Sequence, residues 1–145
     1  MKKKIIFVSH NIYGFECLKS LYKKIKNSEY IISNVITRKK TSFLTDQCFE
    51  FESFCNENKI DYLEISNIKN KESIDFFQKN NSHLILVLGW TQILPNEILK
   101  TSKITLGSHP SLLPHNIGNG VIPWHIINNE KIGGYSLFEL KEEVD

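Results

Sequence analysis

The feature that most constrains the fold is a run of five apolar residues, Leu84–Leu88, in the middle of the chain. A strand with one face in water alternates apolar and polar side chains, so a strand that is apolar at every position is typical of the buried centre of a parallel sheet. Five further segments have the composition of strands: Lys4–Ser9, Tyr30–Ile36, Ile60–Ile65, Lys103–Leu106 and Tyr135–Leu140.

Amphipathic segments separate these strands. From Gly14 onward, apolar side chains recur at three- and four-residue spacing, which predicts a helix. Further helices are predicted over residues 44–58, Glu72–Lys79, Asn96–Lys100 with Pro95 at the first helical position, and 121–129. Strands that alternate with helices predict an α/β fold with a doubly wound, mostly parallel sheet, here as one domain over residues 1–145.

The distribution of charged residues along the chain limits the kinds of ligand that the protein is expected to bind. The net charge is +2, but residues 1–40 carry ten basic and two acidic side chains, whereas the rest carry eight and fourteen. A basic first part is suited to a phosphorylated ligand, but solvated helix faces are the favoured explanation. Arg38 is the single arginine, so nucleic-acid binding is not favoured, because arginine supplies most bidentate contacts to bases and phosphates.

The cysteines and the apolar runs indicate a cytoplasmic protein. Cys17, Cys48 and Cys55 are odd in number and lack the spacing of metal ligands, which predicts reduced thiols without a disulfide or a metal site. No apolar run approaches the roughly 18 residues of a membrane span. The apolar start of the chain stops at Ser9, too early for a secretory leader.

In doubly wound sheets, ligands bind beyond the carboxyl ends of the strands. Three segments follow such ends and combine glycine with polar or aromatic residues, namely Ser9–Gly14, Gly89–Leu94 and Gly107–Gly120. The residue before a proline is kept out of helical geometry, so His109, followed by Pro110, is expected at a strand tip. A rigid loop with an exposed polar histidine is the alternative, and no nucleophile elbow surrounds Ser111.

The segment His109–Pro114, with the sequence HPSLLP, resembles the signature of the folate-dependent formyltransferases. Members of that family act on glycinamide ribonucleotide, methionyl-tRNA or nucleotide-linked amino sugars. Four more segments resemble the family in the same order: Gly14–Leu18, Gly89–Pro95, Gly118–Trp124 and Gly133–Asp145.

The resemblance implies a Rossmann-like formyltransferase fold and formyl transfer from 10-formyltetrahydrofolate to a primary amine. It implies catalytic roles for His109 and Asp145, the carboxylate favouring the imidazolium that donates to the oxyanion. The implied folate contacts are Trp90, Thr91, Gln92, Ile93, Leu94, Leu140, Glu142 and Val144. The implied acceptor contacts are His10, Asn11, Ser111 and Asn119.

The chain departs from the family pattern at three places. Gly107 stands where the family has an asparagine that donates to the oxyanion, and Asn119, Gln92 or the Ser108 amide are the candidate replacements. Ile117 stands where the family has an arginine. The chain ends at Asp145 where family members continue, so we expect a catalytic domain whose carboxyl-terminal part is missing and which is inactive in this form if the site is incomplete.

Several functional interpretations therefore stand side by side. A nucleotide-linked amino sugar is the favoured acceptor, since Trp90, Gln92 and the Pro123–Trp124 segment look most like the enzymes that act on such sugars. Methionyl-tRNA and glycinamide ribonucleotide are the alternative acceptors. Gly107 and the early end favour a different class, a degenerate domain that binds folate or nucleotide without turnover. A homodimer is left open, and a receiver module lacks the acidic residues it would need after the first strand.

Overall fold

The computed structural model describes residues 2–39 and 50–142. Its strands are β1 (Lys3–Val8), β2 (Tyr30–Arg38), β3 (Asp61–Ile65), β4 (Ser82–Val87), β5 (Ser102–His109) and β6 (Ser136–Glu139). Its helices are α1 (Ile12–Ile25), α2 (Glu50–Asn58), α3 (Lys71–Lys79), α4 (Asn96–Leu99) and α5 (Val121–Ile127).

The six strands form one sheet in the order β3-β2-β1-β4-β5-β6. Neighbours from β3 to β5 pair in parallel, and β6 pairs antiparallel to β5 at the edge. The winding direction reverses between β1 and β4, which is where ligands bind in folds of this type. The predicted doubly wound, mostly parallel α/β sheet is confirmed.

Both faces of the sheet carry a cluster of buried apolar side chains, because successive strand residues point to opposite sides. On one face, Ile6 and Val8 of β1 pack with Ile85, with Phe77 of α3 and with Ile98 of α4. On the other face, β1 contributes Phe7 to a second cluster with α1 and α2, whose further members include Phe15, Leu18, Val35, Phe51 and Cys55. β1 is apolar on both sides because helices pack on each, whereas on the second face Leu84 and Leu86 of β4 are only partly buried.

Helix α1 begins two residues before the predicted start at Gly14. The Asn11 side chain accepts a hydrogen bond from the Gly14 amide at 3.0 Å and so satisfies one of the unpaired donors at the helix start. Gly14 itself allows a close approach, since a Cβ there would overlap the Ser9 hydroxyl and lie 2.7 Å from the Leu88 carbonyl oxygen. The first turn of α1 therefore rests directly on the ends of β1 and β4.

Other boundaries differ from the predicted ones for reasons of pairing. Strand β5 continues to His109 because β6 supplies a partner there, His109 opposite Ser136. Strand β2 likewise continues to Arg38 opposite Ile65. Pro95 is the residue before α4, in extended backbone with ψ 154°, rather than its first helical residue.

One predicted helix begins outside the described part of the chain. The helix predicted over 44–58 is seen from Glu50 to Asn58, and Cys48 and the rest of that segment lie outside the described residues. Within residues 2–39 and 50–142, no helix is both long and apolar enough to cross a bilayer.

Candidate active site

The carboxyl ends of three adjacent strands meet at one edge of the sheet. Val8 of β1 pairs with Val87 of β4, and Val87 pairs with Gly107 of β5, so these strands end at nearly the same level. His10 follows the first end, the segment from Gly89 follows the second, and His109 is the last residue of β5. The three segments singled out in the sequence are therefore neighbours along this edge.

Trp90 and His10 pack against each other beside this edge. Their rings meet edge-on with centroids 5.6 Å apart, and His10 is buried. Trp90 is partly buried, and it packs against the same core cluster as Leu94 and Leu140. The Trp90 indole nitrogen is buried and donates to no described residue. An aromatic surface with one unused donor is suited to a flat heteroaromatic ligand.

The segment after Trp90 is tied to the neighbouring loops. Gln92 Oε1 accepts from the Ile68 amide at 2.9 Å, and Gln92 Nε2 donates to the Ser66 carbonyl at 3.5 Å. Arg38 Nη1 donates to Thr91 Oγ1 at 3.2 Å. Gln92 thus anchors the segment to the loop after β3, and both polar atoms of its side-chain amide are used in doing so.

Gly89 and Asn11 hold the first two segments together. Gly89 has a left-handed backbone with φ +62°, and a Cβ there would overlap the Asn11 amide. Since Asn11 also caps α1, its side chain is committed to the junction between the β1 and β4 ends. Its expected contact with the acceptor stays a prediction.

Gly107 faces Leu140 across the end of β5. Its φ lies outside the left-handed region, and a Cβ there would come within 3.1 Å of the Leu140 side chain. The Leu140 amide donates to the Thr105 carbonyl at 2.8 Å, which holds the residue after β6 against β5. Leu140 thus occupies space beside the position where an asparagine side chain would begin.

His109 lies on the same face of the sheet as Gly107. Its Nε2 is 2.9 Å from the carbonyl oxygen of Asn116. A carbonyl oxygen only accepts, so Nε2 carries the hydrogen in this contact and Nδ1 is the nitrogen left for a ligand. The ring is half-buried, as a group that must meet a substrate requires.

Ser111 and Asn119 lie in the loop between β5 and α5. Ser111 is buried, its hydroxyl donates to the His115 carbonyl at 2.7 Å, and its own carbonyl accepts from Ser136 Oγ at 2.7 Å. These contacts give Ser111 a structural role in the loop. Asn119 is exposed just before α5. The acceptor contacts expected of both residues stay predictions.

The remaining folate candidates are spread along the edge. Leu94 is buried in the core, whereas Ile93 is 59% exposed. Glu142 forms an exposed ion pair with Lys100 at 2.7 Å. Val144 and Asp145 lie outside the described residues, so their expected roles stay predictions. Among the described residues, no three His, Cys, Asp or Glu side chains form a group that suits a metal ion.

The model of the formyl transferase family matches residues 2–145 of the chain. The chain belongs to the formyl transferase family. It is 31% identical over 150 residues to a methionyl-tRNA formyltransferase of Pelagibacter ubique, covering 100% of this chain and 47% of that protein. It is 30% identical over 152 residues to the bifunctional polymyxin resistance protein ArnA of Wigglesworthia glossinidia brevipalpis, covering 99% of this chain and 21% of that protein.

Solved structures share the fold of this chain. A phosphoribosylglycinamide formyltransferase of Anaplasma phagocytophilum superposes with a TM-score of 0.75 at 20% identity, over 100% of this chain and 68% of that one. A formyltetrahydrofolate deformylase of Pseudomonas syringae superposes with a TM-score of 0.79 at 19% identity, over 100% of this chain and 48% of that one. The chain spans about half the length of the methionyl-tRNA formyltransferases it matches.

The structure adds residues that the sequence analysis did not single out. Asn116 contacts His109 from a left-handed backbone with φ +54°. On the other face of β5, Tyr135 Oη donates to Ser108 Oγ at 3.2 Å, and the Tyr135 ring lies 5.0 Å from that of Tyr13. Burial and the contact with Tyr135 raise the pKa of Tyr13. Asparagine tolerates a positive φ better than most residues, and this tolerance is the one property of the sequence that could have pointed to Asn116.

Proposed function

We propose that this chain is the catalytic domain of an N-formyltransferase that moves the formyl group of 10-formyltetrahydrofolate to a primary amine. The observation that carries the proposal is the position of His109, at the tip of β5 on the sheet edge where the segment Gly89–Leu94 follows β4. Membership of the formyl transferase family over residues 2–145 supports the same chemistry.

The segment after β4 fits a folate donor. Trp90 offers a partly buried ring and an indole N–H without a described partner, and a pterin ring offers a flat face and acceptors. Leu94 and Leu140 line the apolar side of the same cluster. Thr91 and Gln92 keep the segment in place through Arg38 and the loop after β3.

The proposed reaction requires a proton relay beside a developing negative charge. The amine nitrogen forms a bond to the formyl carbon, the bond from that carbon to the folate nitrogen breaks, and the proton lost by the amine ends on the folate nitrogen. With Nε2 held by Asn116, the Nδ1 side of His109 is the one that faces the reacting atoms. Nδ1 of the neutral ring takes up the proton that the amine loses, and the imidazolium formed in that step, which the Asp145 carboxylate is proposed to stabilise, donates from Nδ1 to the oxyanion and then to the folate nitrogen.

The missing oxyanion donor at Gly107 is proposed to be replaced by a group near the same edge. Gln92 is the weakest of the three candidates, because its amide already contacts Ser66 and Ile68. Asn119 is exposed in the loop that follows His109, and it is the side chain that we favour for this role. A domain that binds folate without turnover is the second candidate function, and Gly107 is the observation that favours it.

For the acceptor, we propose a nucleotide-linked amino sugar. The chain has one arginine, and Arg38 contacts Thr91, whereas a tRNA acceptor calls for many cations along its phosphates. Methionyl-tRNA is the second candidate acceptor because of the 31% identity to the Pelagibacter ubique methionyl-tRNA formyltransferase. Both described cysteines are free thiols, which suits the proposed cytoplasmic location.

The test is a formyl-transfer assay with 10-formyltetrahydrofolate and three acceptor classes: nucleotide-linked amino sugars, methionyl-tRNA and glycinamide ribonucleotide. We expect transfer to the sugar class, and we expect His109→Ala to lower the rate by more than about 100-fold at an unchanged melting temperature. His115→Ala, an exposed histidine in the same loop, is the matched control. Binding of a folate analogue in calorimetry, with no transfer to any acceptor, selects the non-catalytic alternative instead.

A further inference from the structure

The His109 ring is held by one backbone carbonyl, that of Asn116, at 2.9 Å from Nε2. This contact sets both the orientation of the ring and the nitrogen that carries the hydrogen. The direction of the Asn116 carbonyl therefore decides where Nδ1 of His109 points.

That carbonyl belongs to a residue with an uncommon backbone conformation. Asn116 has φ +54°, in the left-handed region that residues other than glycine seldom adopt. Its neighbours along the chain in the direction of α5 are exposed and give it little packing support. Some other contact must hold the peptide of Asn116 in this orientation.

The Asn116 side chain supplies that contact. Its Nδ2 lies 2.8 Å from Nε2 of His125 and 3.3 Å from Oε2 of Glu130, so each of its two N–H groups has an acceptor. His125 and Glu130 are in turn held together through the backbone, because the Glu130 amide donates to the His125 carbonyl at 2.9 Å, and their two acceptor atoms lie side by side around Asn116 Nδ2. We call Asn116, His125 and Glu130 the α5 latch.

The latch residues line a cavity at the surface, and Asn116 itself is exposed. The side chains of His125 and Glu130 are 16% and 31% exposed, and the latch residues line a cavity of about 340 Å³ with Leu112 and Ile132 on its apolar side. The end of α5 is thereby connected to His109 through a single asparagine.

We propose that Asn116 is a positioning residue for His109. The α5 latch holds its side chain, its left-handed backbone then aims the carbonyl at Nε2 of His109, and Nδ1 is left facing the reacting atoms. The inference rests on the proposed function, in which His109 is the catalytic group.

Asn116→Gly removes the side chain that the latch holds but keeps the backbone carbonyl that contacts His109. Glycine adopts positive φ freely, so the substitution adds no backbone strain. We expect kcat to fall about tenfold to 100-fold with KM within twofold, as for a catalytic group that is present but misaligned. Nitrogen-15 NMR of His109 should show loss of the single Nε2–H tautomer. The double variant Asn116→Gly, His125→Ala should be no slower than Asn116→Gly alone, because both changes open the same latch.

Asn129→Gly is the matched control. Asn129 also has a left-handed backbone, φ +53°, but its side chain accepts from Lys131 at 2.7 Å and takes no part in the latch. We expect that variant to keep kcat and the His109 tautomer.

Two results overturn the inference, and they are distinguishable. If His109→Ala is inactive while Asn116→Gly keeps both kcat and the Nε2–H tautomer, Asn116 does not position His109 and the proposed function stands. If His109→Ala retains transfer, the proposed role of His109 is wrong and the inference falls with it.

Discussion

Single residues at the carboxyl edge of the sheet decide how closely its parts approach. Gly14 and Gly89 leave room for the ends of β1 and β4 and for the Asn11 amide. Gly107 leaves room for Leu140, with contacts near 3.1 Å rather than an overlap. The first two positions therefore exclude a side chain, whereas Gly107 accepts one if Leu140 shifts by a few tenths of an ångström.

Gly107→Asn is expected to add an oxyanion donor to the one proposed for Asn119. In other enzymes, one such donor raises the rate by roughly 10²- to 10³-fold. The backbone φ of Gly107 lies outside the left-handed region, so an asparagine fits the backbone at this position. We expect faster formyl transfer with a melting temperature lowered by no more than a few degrees. The comparison is a steady-state rate and a thermal melt on the same preparation. A slower enzyme at an unchanged melting temperature would mean that the site is adapted to glycine.

A buried thiol links stability to alkaline pH. Burial of Cys55 raises its pKa to about 12 from an ordinary 9.0. Between these two values the unfolded chain releases the proton and the folded chain keeps it. The free energy of unfolding therefore falls as pH rises above about 9, by up to about 1.4 kcal/mol per pH unit for this group.

Cys55→Val removes that group at similar volume. In urea unfolding at several pH values between 8 and 11, we expect a shallower fall in the free energy of unfolding for the variant. Part of the fall remains in both proteins, because burial and Glu64 also raise the pKa of Tyr62. Identical pH profiles would show that Cys55 is not the group responsible.

At the scale of elements, the candidate site is formed by the loops that follow the strands rather than by the strands themselves. The segment after β4 is anchored to the loop after β3 through Gln92 and to the end of β2 through Thr91 and Arg38. The loop after β5 is held to β6 by Ser111 and Ser136. The candidate site is thus assembled from loops that brace one another across neighbouring strands.

Gln92→Ala is expected to loosen the donor segment. It leaves the Ile68 amide without its acceptor, at a cost of about 1–2 kcal/mol in the free energy of unfolding, and it weakens binding of a folate analogue. Gln92→Glu is the matched control, since a carboxylate oxygen still accepts from Ile68. Urea unfolding and calorimetry measure the two effects. Equal losses in both variants would argue that the Ile68 contact contributes nothing.

At the scale of the whole molecule, stability is concentrated at the centre of the sheet. β1 and β4 lie between other strands, and their residues Ile6, Val8 and Ile85 are buried. β6 lies at the edge with four residues, and its Leu137 and Phe138 are 60% and 37% exposed. Protection of backbone amides against hydrogen exchange should therefore decline from the centre of the sheet toward β6.

Hydrogen–deuterium exchange with mass spectrometry tests this gradient. We expect peptides from β1 and β4 to exchange slowest, through global unfolding, and peptides from β6 and α5 to exchange much faster through local opening. β2, which is flanked by β1 and β3, is the internal control and should exchange nearly as slowly as β1. Protection of β6 equal to that of β1 would contradict this picture.

The sequence by itself determined the order and type of the elements, because the apolar period of a strand or a helix is a local property. Leu84–Leu88 indicated a central parallel strand and His109-Pro110 a strand tip, and both hold in the structure. The tertiary structure alone decided the antiparallel direction of β6, the burial of Ser111 and the contacts of Gln92 and Asn116. Those features depend on which loops meet in space, across separations such as 24 residues for Gln92 and Ile68 and 14 for Asn116 and Glu130, and no local period encodes such meetings.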